Sequence, residues 1–232
     1  EPDALYKQLD GSSGLGKDSC IGFQIDLELD KFEDKKFSIL MGQENSIDKM
    51  KEVASQYQKE YDAEVRLENV KSKWNNILSV INVKTPSESI NLLMNGWLVY
   101  QTIVSRLFAR SGYHQSGGAF GFRDQLQDCF GIKYIDSSFL RDQILNCARH
   151  QFIEGDVLHW WHLETKKGIR TRFADDLLWL VYGVLEYVEF TNQRDILDEQ
   201  VSYLKGNLLK EGELEKYDIF YESDVKESIF EH

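Results

Sequence analysis

Between Ile21 and Leu29 every second residue is apolar, whereas from Ser46 onward apolar residues return every three or four positions. That change of period constrains the fold most, because side chains alternate faces along a strand and share one face every 3.6 residues along a helix. In "IGFQIDLEL", Ile21, Phe23, Ile25, Leu27 and Leu29 alternate with Gly22, Gln24, Asp26 and Glu28, which predicts a strand with one wet face. A charged turn, "DKFEDKK", leads to "FSILMG", so residues 20–42 read as a hairpin. Two strands are marginally stable alone. The hairpin therefore rests on the helices that follow, or belongs to a larger sheet whose earlier strands are absent from this chain.

Ile47, Met50, Ala54 and Tyr57 predict a first helix with Ser46 as its N-cap. Leu67, Val70, Trp74, Ile77, Leu78 and Ile81 predict a second. "KTPSES" then supplies a helix start, with Thr85 as cap, Pro86 at the first helical position and Glu88 completing a capping box. This third helix is expected to run to about Arg110, burying Ile90, Leu93, Met94, Trp97, Leu98 and Gln101. Three further helical patterns lie near 140–152, 175–190 and 193–204. "YESDVKESIFEH" reads as the start of another helix, capped by Ser223 and cut short at His232. The expectation is a mainly helical array whose polar loops gather on one side.

The 232 residues, 42% of them hydrophobic, suffice for a substantial core. A formal charge of −12, from 27 Lys and Arg against 39 Asp and Glu, disfavours nucleic acid and anionic membranes. "KKGIRTR" is too short and too apolar to reverse this. No apolar run nears the ~18 residues of a spanning helix, and "EPDALYKQLD" lacks a signal pattern, so a soluble cytoplasmic protein is expected. Cys20, Cys129 and Cys147 have no metal-ligand spacing and read as free thiols. Phosphate-loop, GxSxG and strand-to-helix GxGxxG motifs are missing, which disfavours nucleotide chemistry.

Three stretches concentrate polar chemistry. In "SGYHQSGGAFGFRDQLQD", a glycine-rich loop precedes Arg123, Asp124, Gln127 and Asp128. On a helix, Arg123 and Gln127 share one face, as do Asp124 and Asp128. A guanidinium fixed by carboxylates suits hydroxyl-rich ligands or an anion, and equally fits a surface salt-bridge cluster. "HQFIEGDVLHWWH" carries His159, Trp160 and their neighbours. Its spacing disfavours zinc. Paired tryptophans fill cores, and they also hold sugar rings, face on and with hydrogen bonds at the rim. In "GIRTRFADDLLWL", Arg170 and Arg172 precede Asp175 and Asp176, which either complement the helix dipole or face a pocket with the arginines.

Together with "NGWLVYQ", these stretches resemble the inverting glycoside phosphorylases of the cellobiose and chitobiose phosphorylase family (glycosyltransferase 36-type), nearest to its β-1,2-oligoglucan phosphorylase and cyclic β-1,2-glucan synthase branch. The resemblance implies the last strands of a β-sandwich at 1–45, a helical linker at 46–84, and the opening part of an (α/α)6 barrel at 85–232. It implies phosphorolysis of a β-linked glucan, with inorganic phosphate as co-substrate, no cofactor, and a homodimer as an option for the complete enzyme. The family's general acid lies on a "DWNDG"-like motif that this sequence lacks, so no catalytic residue is assigned here and the chain reads as an internal piece. Substrate-binding assignments fall on Arg123, Asp124, Gln127, Asp128, Asp175 and Asp176, and more loosely on His159, Trp160, Arg170 and Arg172. Ala174 and Val181 stand where the family pattern has Ser and Pro. The competing readings are a non-catalytic carbohydrate-binding or structural piece, and a complete hydrolase using Asp124 and Asp175 as an acid/base pair.

Overall fold

The computed structural model describes residues 7–9, 11, 14, 21–59, 63–109 and 117–232, in two compact units, Glu1–Asp62 and Ala63–His232. The expected roles of Cys20 and Arg110 lie outside the described residues.

In the first unit the chain reverses at Asp30–Glu33. Glu33 N–H donates to the Asp30 carbonyl at 3.0 Å, and Phe32 takes a positive φ of 71°. The arms meet where Lys35 Nζ donates to the Glu28 carbonyl at 2.6 Å. They carry no strand ladder among the described residues, which corrects the expected two-stranded hairpin. Ile21, Phe23, Leu29 and Phe37 are all more than half exposed, so little apolar burial supports a ladder. Helix α1 (Ile47–Lys59) starts as its sequence predicts, with Ser46 Oγ accepting the Lys49 N–H at 3.2 Å. Ser46→Ala is expected to lower this unit's stability by about 1 kcal/mol. An unchanged urea transition, followed by helical circular dichroism, would show the cap idle.

The second unit opens with α2 (Ala63–Leu78) and a helical run from Glu88 to Phe108. Ser87, not Thr85, is the N-cap of α3 (Glu88–Leu92). Thr85 organises the approach instead: its N–H donates to Asn91 Oδ1 at 2.7 Å, and its Oγ1 accepts the Ser87 N–H at 3.2 Å. Glu88 is therefore the first helical residue and forms no capping box. The run is also broken. Gly96 has φ of +132°, which L side chains rarely adopt, inside a widened turn at Leu93–Trp97. The Asn95 amide braces the break by bonding both the Val83 N–H (2.7 Å) and carbonyl (2.8 Å). Beyond it follow α4 (Leu98–Gln101) and a second wide segment, Thr102–Phe108. Ile90, Leu93, Met94, Trp97, Leu98 and Gln101, expected to be buried, are exposed, and Ile103 is buried instead.

The core lies where α5 (Phe122–Ile132), α6 (Ser138–Ala148) and α7 (Asp176–Thr191) meet. Phe122, Leu126, Leu140, Ile144, Leu180 and Tyr187 fill it with almost no exposure. Cys129 and Cys147 are buried free thiols, and burial pushes Cys129 up to about 12.

An antiparallel sheet of order β1-β2-β3-β5 joins β1 (Phe120–Gly121), β2 (Leu158–His162), β3 (Lys167–Thr171) and β5 (Glu215–Ile219). A second pairs β4 (Gln200–Lys205) with β6 (Tyr221–Ser228). These last two correct the helices expected at 193–204 and from Ser223; a short 3₁₀ turn, Asp195–Asp198, is the helical part. Val201, Ser202, Tyr203 and Leu204 are buried in succession, and a strand buried on both faces has no period-2 signature. The chain is thus mixed rather than mainly helical. No described helix is long and apolar enough to cross a membrane.

Candidate functional site

The N-termini of α5 and α7 meet beside the β2–β3 hairpin, and the site is built there. Leu158 pairs with Arg170 but Trp160 pairs with Ile169, so His159 is the extra residue of a bulge. A bulge turns a side chain out of the strand's alternation. His159 Nδ1 lies 2.7 Å from Asp176 Oδ2. Asp176, the first residue of α7, is 2% exposed. Burial raises its carboxyl above the usual range, opposed by the His159 contact and by the Arg123 charge. The His159 ring also meets Phe173 edge-on, with centroids 4.8 Å apart. Phe173 was not singled out from the sequence, although it precedes the acidic pair by two residues.

Arg123, on the first turn of α5, donates from Nη1 to Asp175 Oδ2 at 2.8 Å, both side chains being about half exposed. Such an exposed pair contributes little to stability and leaves donors and lone pairs for a ligand. Asp124 folds back over Gly121, where an added Cβ would lie 2.7 Å from Asp124 Oδ2. Buried Gln125 accepts the Gly121 N–H and so fixes the approach to α5. Glycine at 121 makes room for Asp124, one specific close approach in a stretch whose first six residues, 111–116, lie outside the described set.

The other assignments separate from this cluster. Asp128 accepts from Arg106 Nε at 2.8 Å; its carboxyl is raised by burial, against the Arg106 attraction. Arg106 lies 22 residues upstream and has no local sequence signal. Gln127 is exposed. Trp160 packs by its ring against Tyr217 (5.4 Å) and His162 (5.5 Å), while Trp161 is buried against His150 and Phe120. Arg170 is fully buried, with Nε 2.6 Å from Asp156 Oδ2 and Nη2 3.1 Å from Glu154 Oε2. Arg172 donates to the carbonyls of Leu209, Lys210 and Glu213. Both arginines thus make their hydrogen bonds to Asp156, Glu154 and the 206–213 carbonyls rather than to Asp175 or Asp176. Among the described residues no group of three or more His, Cys, Asp or Glu side chains is placed to hold a metal ion.

Residues 73–232 match the catalytic domain of the glycosyl hydrolase 94 superfamily. The chain belongs to this family. Residues 1–60 match a second glycosyl hydrolase 94 model, the supersandwich domain. The chain is 36% identical over 228 residues to the cyclic beta-(1,2)-glucan synthase NdvB of Rhizobium meliloti (strain 1021), covering 97% of this chain and 8% of that protein. It is 30% identical over 124 residues to solabiose phosphorylase of Paenibacillus borealis, covering 53% and 15%. To N,N'-diacetylchitobiose phosphorylase of Vibrio proteolyticus it is 24% identical over 165 residues, covering 59% and 21%. The chain therefore spans less than a quarter of each of these relatives. In this glycosyl hydrolase 94 chain, Arg123, Asp175, Asp176 and His159 form one polar cluster on rigid elements, and all four fall within the catalytic-domain match.

Proposed function

We propose that this chain carries the sugar-binding part of a glycoside phosphorylase that acts reversibly on β-linked glucans, β-1,2-linked oligoglucan being the favoured substrate. The observation that carries this is the cluster of Arg123, Asp175, Asp176 and His159 at two converging helix starts. Exposed guanidinium and carboxylate edges beside an imidazole held by a buried carboxylate form a donor and acceptor set suited to sugar hydroxyls. Two relatives named as phosphorylases support the reaction class, and the one named as a cyclic beta-(1,2)-glucan synthase supports the linkage.

In the reaction, a carboxylic acid protonates the leaving glycosidic oxygen as its bond to C1 breaks. Phosphate oxygen attacks C1 from the opposite face, giving α-glucose 1-phosphate with inversion. Phosphate is already a nucleophile, so one protein carboxyl suffices. That acid is assigned to a "DWNDG"-like segment, which these 232 residues do not contain. The role of the present residues is to bind and orient the glucosyl unit, lowering the entropy lost on reaching the transition state. In this reading residues 1–45 contribute to the β-sandwich, 46–84 to the linker and 85–232 to an (α/α)6 barrel in the complete enzyme.

The test is release of glucose 1-phosphate by the full-length gene product from β-1,2-, β-1,3- and β-1,4-glucans with inorganic phosphate. Release from the β-1,2 substrate is expected, and no product from any glucan refutes the proposal. Arg123→Ala is expected to reduce kcat/KM about tenfold, mainly through KM, while urea stability changes by less than about 0.5 kcal/mol because the pair is exposed. Parallel loss of stability and activity would instead assign Arg123 a purely structural salt bridge.

A further inference from the structure

A cavity of about 240 Å³ lies between β2 and the β4–β6 pair, and none of Arg123, Asp175, Asp176 and His159 lines it. Leu158 and Trp161 of β2, Leu204 of β4 and Phe220 form its floor, each no more than 8% exposed. Backbone bonds pin these walls. Leu158 N–H donates to the His150 carbonyl (3.0 Å), Leu204 N–H to that of Gln151 (2.7 Å) and Phe220 N–H to that of Lys166 (3.2 Å). The space is therefore preformed, and little ordering is left to be done when a ligand enters.

Three donors around this space are unanswered. The Trp161 indole Nε1–H is buried without a hydrogen-bond partner among the described residues. Such a donor is costly to bury, and an acceptor brought by a ligand removes that cost. At the mouth stand Arg149, which follows α6, and Lys166, in the turn between β2 and β3. Both are exposed, and neither has a carboxylate partner among the described residues. In a chain with 39 Asp and Glu against 27 Lys and Arg, two unpaired cations at one opening favour an acidic ligand.

A carboxylate answers all three, because it accepts hydrogen bonds and carries the opposite charge. The buried aliphatic and aromatic floor calls for an apolar body behind it. Glu222, also at the mouth, accepts from Ser202 Oγ at 2.5 Å and repels anions, which limits the charge the site accepts. Phosphate carries more charge against Glu222 and offers nothing to the floor, and a neutral sugar leaves both cations unanswered. The volume falls below the usual ~300 Å³ of drug-sized pockets, so the body is about one ring or a short branched chain.

We propose that this cavity is a binding site for a small organic monocarboxylate, with Arg149, Lys166 and the Trp161 N–H as donors to the carboxylate and Leu158, Leu204 and Phe220 around the apolar body. It is a second site, independent of the glucan reading.

The experiment titrates benzoate, benzyl alcohol and inorganic phosphate into the full-length protein and its variants by calorimetry. Benzoate is expected to bind with Kd of about 1 mM, the range open to a ligand of about nine heavy atoms. Arg149→Gln and Lys166→Gln, at exposed positions, are each expected to weaken it by about threefold. Glu222→Gln keeps an acceptor for Ser202 and removes the repulsion, so it is expected to tighten benzoate by about threefold. No benzoate binding, or binding that none of the three variants changes, overturns the site. Equal binding of benzyl alcohol, or phosphate binding that depends on Arg149 and Lys166, overturns the ligand class. The glucan reading survives each of these results, because the variants lie outside the Arg123 cluster.

Discussion

Arg170→Ala is expected to destabilise the chain by about 3 kcal/mol, at the lower end of the range for breaking a buried ion pair. The side chain is fully buried, yet it carries a permanent charge, so its stability depends on what surrounds it. Nε and Nη2 grip the two oxygens of Asp156, Nη2 also reaches Glu154, and Nη1 takes two carbonyls of the 206–214 loop. The guanidinium carbon sits 3.8 Å above the centre of the Phe152 ring. Truncation leaves Asp156 half-enclosed without its counter-charge, releases the two carbonyls and bares the Phe152 face. Arg170→Lys is expected to restore less than half of the loss, because an ammonium cannot reproduce the fork. Urea denaturation measures both variants. A loss below about 1 kcal/mol for the alanine would show the contacts to be bystanders.

The second large effect is one of pH. His150 stacks on Trp161 with centroids 3.8 Å apart, and its Nδ1 lies 2.7 Å from the Asn146 carbonyl. Burial, against that carbonyl bond and helped by neighbouring Arg149, pushes it down to about 4 from an ordinary 6.5. Between these values the unfolded chain binds a proton that the folded chain does not, so stability falls as pH drops from 6.5 towards 4. The full difference corresponds to about 3 kcal/mol. His150→Phe keeps an aromatic ring against Trp161 and removes the titration. Comparing urea midpoints at pH 7 and pH 4.5, the native chain is expected to lose stability by about 2 kcal/mol more than the variant. Equal losses in both proteins would mean that His150 is not the group responsible.

The parts of the fold that were legible in the sequence are those with a local signal. Helix α1 declared itself through Ser46 and the spacing of Ile47, Met50, Ala54 and Tyr57, and α7 through an apolar run after two acidic residues. Strand β4 did not, because "VSYL" is buried on both faces and a short buried run lacks the alternation that separates strand from helix. The break at Gly96 was also hidden, since its neighbours keep helical spacing while one φ angle does not. Within the site, the residue types at Arg123, Asp175, Asp176 and His159 were visible, but their pairings were not. Arg123 and Asp175 are 52 residues apart, and the His159 contact depends on a bulge that no composition announces. Arg170 looked like a member of the same group because it sits close in sequence, yet alternation along β3 sends it into the protein.

The bulge at His159 bears on how the gene for this hairpin can drift. Side chains on a strand change face with each step of register, so deleting a residue from Trp160–His162 would slip the rest of that segment against Gly168 and Lys167, whereas deleting His159 would restore regular pairing and remove the side chain that meets Asp176. Replacing a residue at one of these positions alters one contact, whereas changing their number alters all of them together. Residue count in β2 is thus held more tightly than residue type, and frame-preserving insertions are better tolerated in the exposed turn at 163–166, which the alternation does not reach.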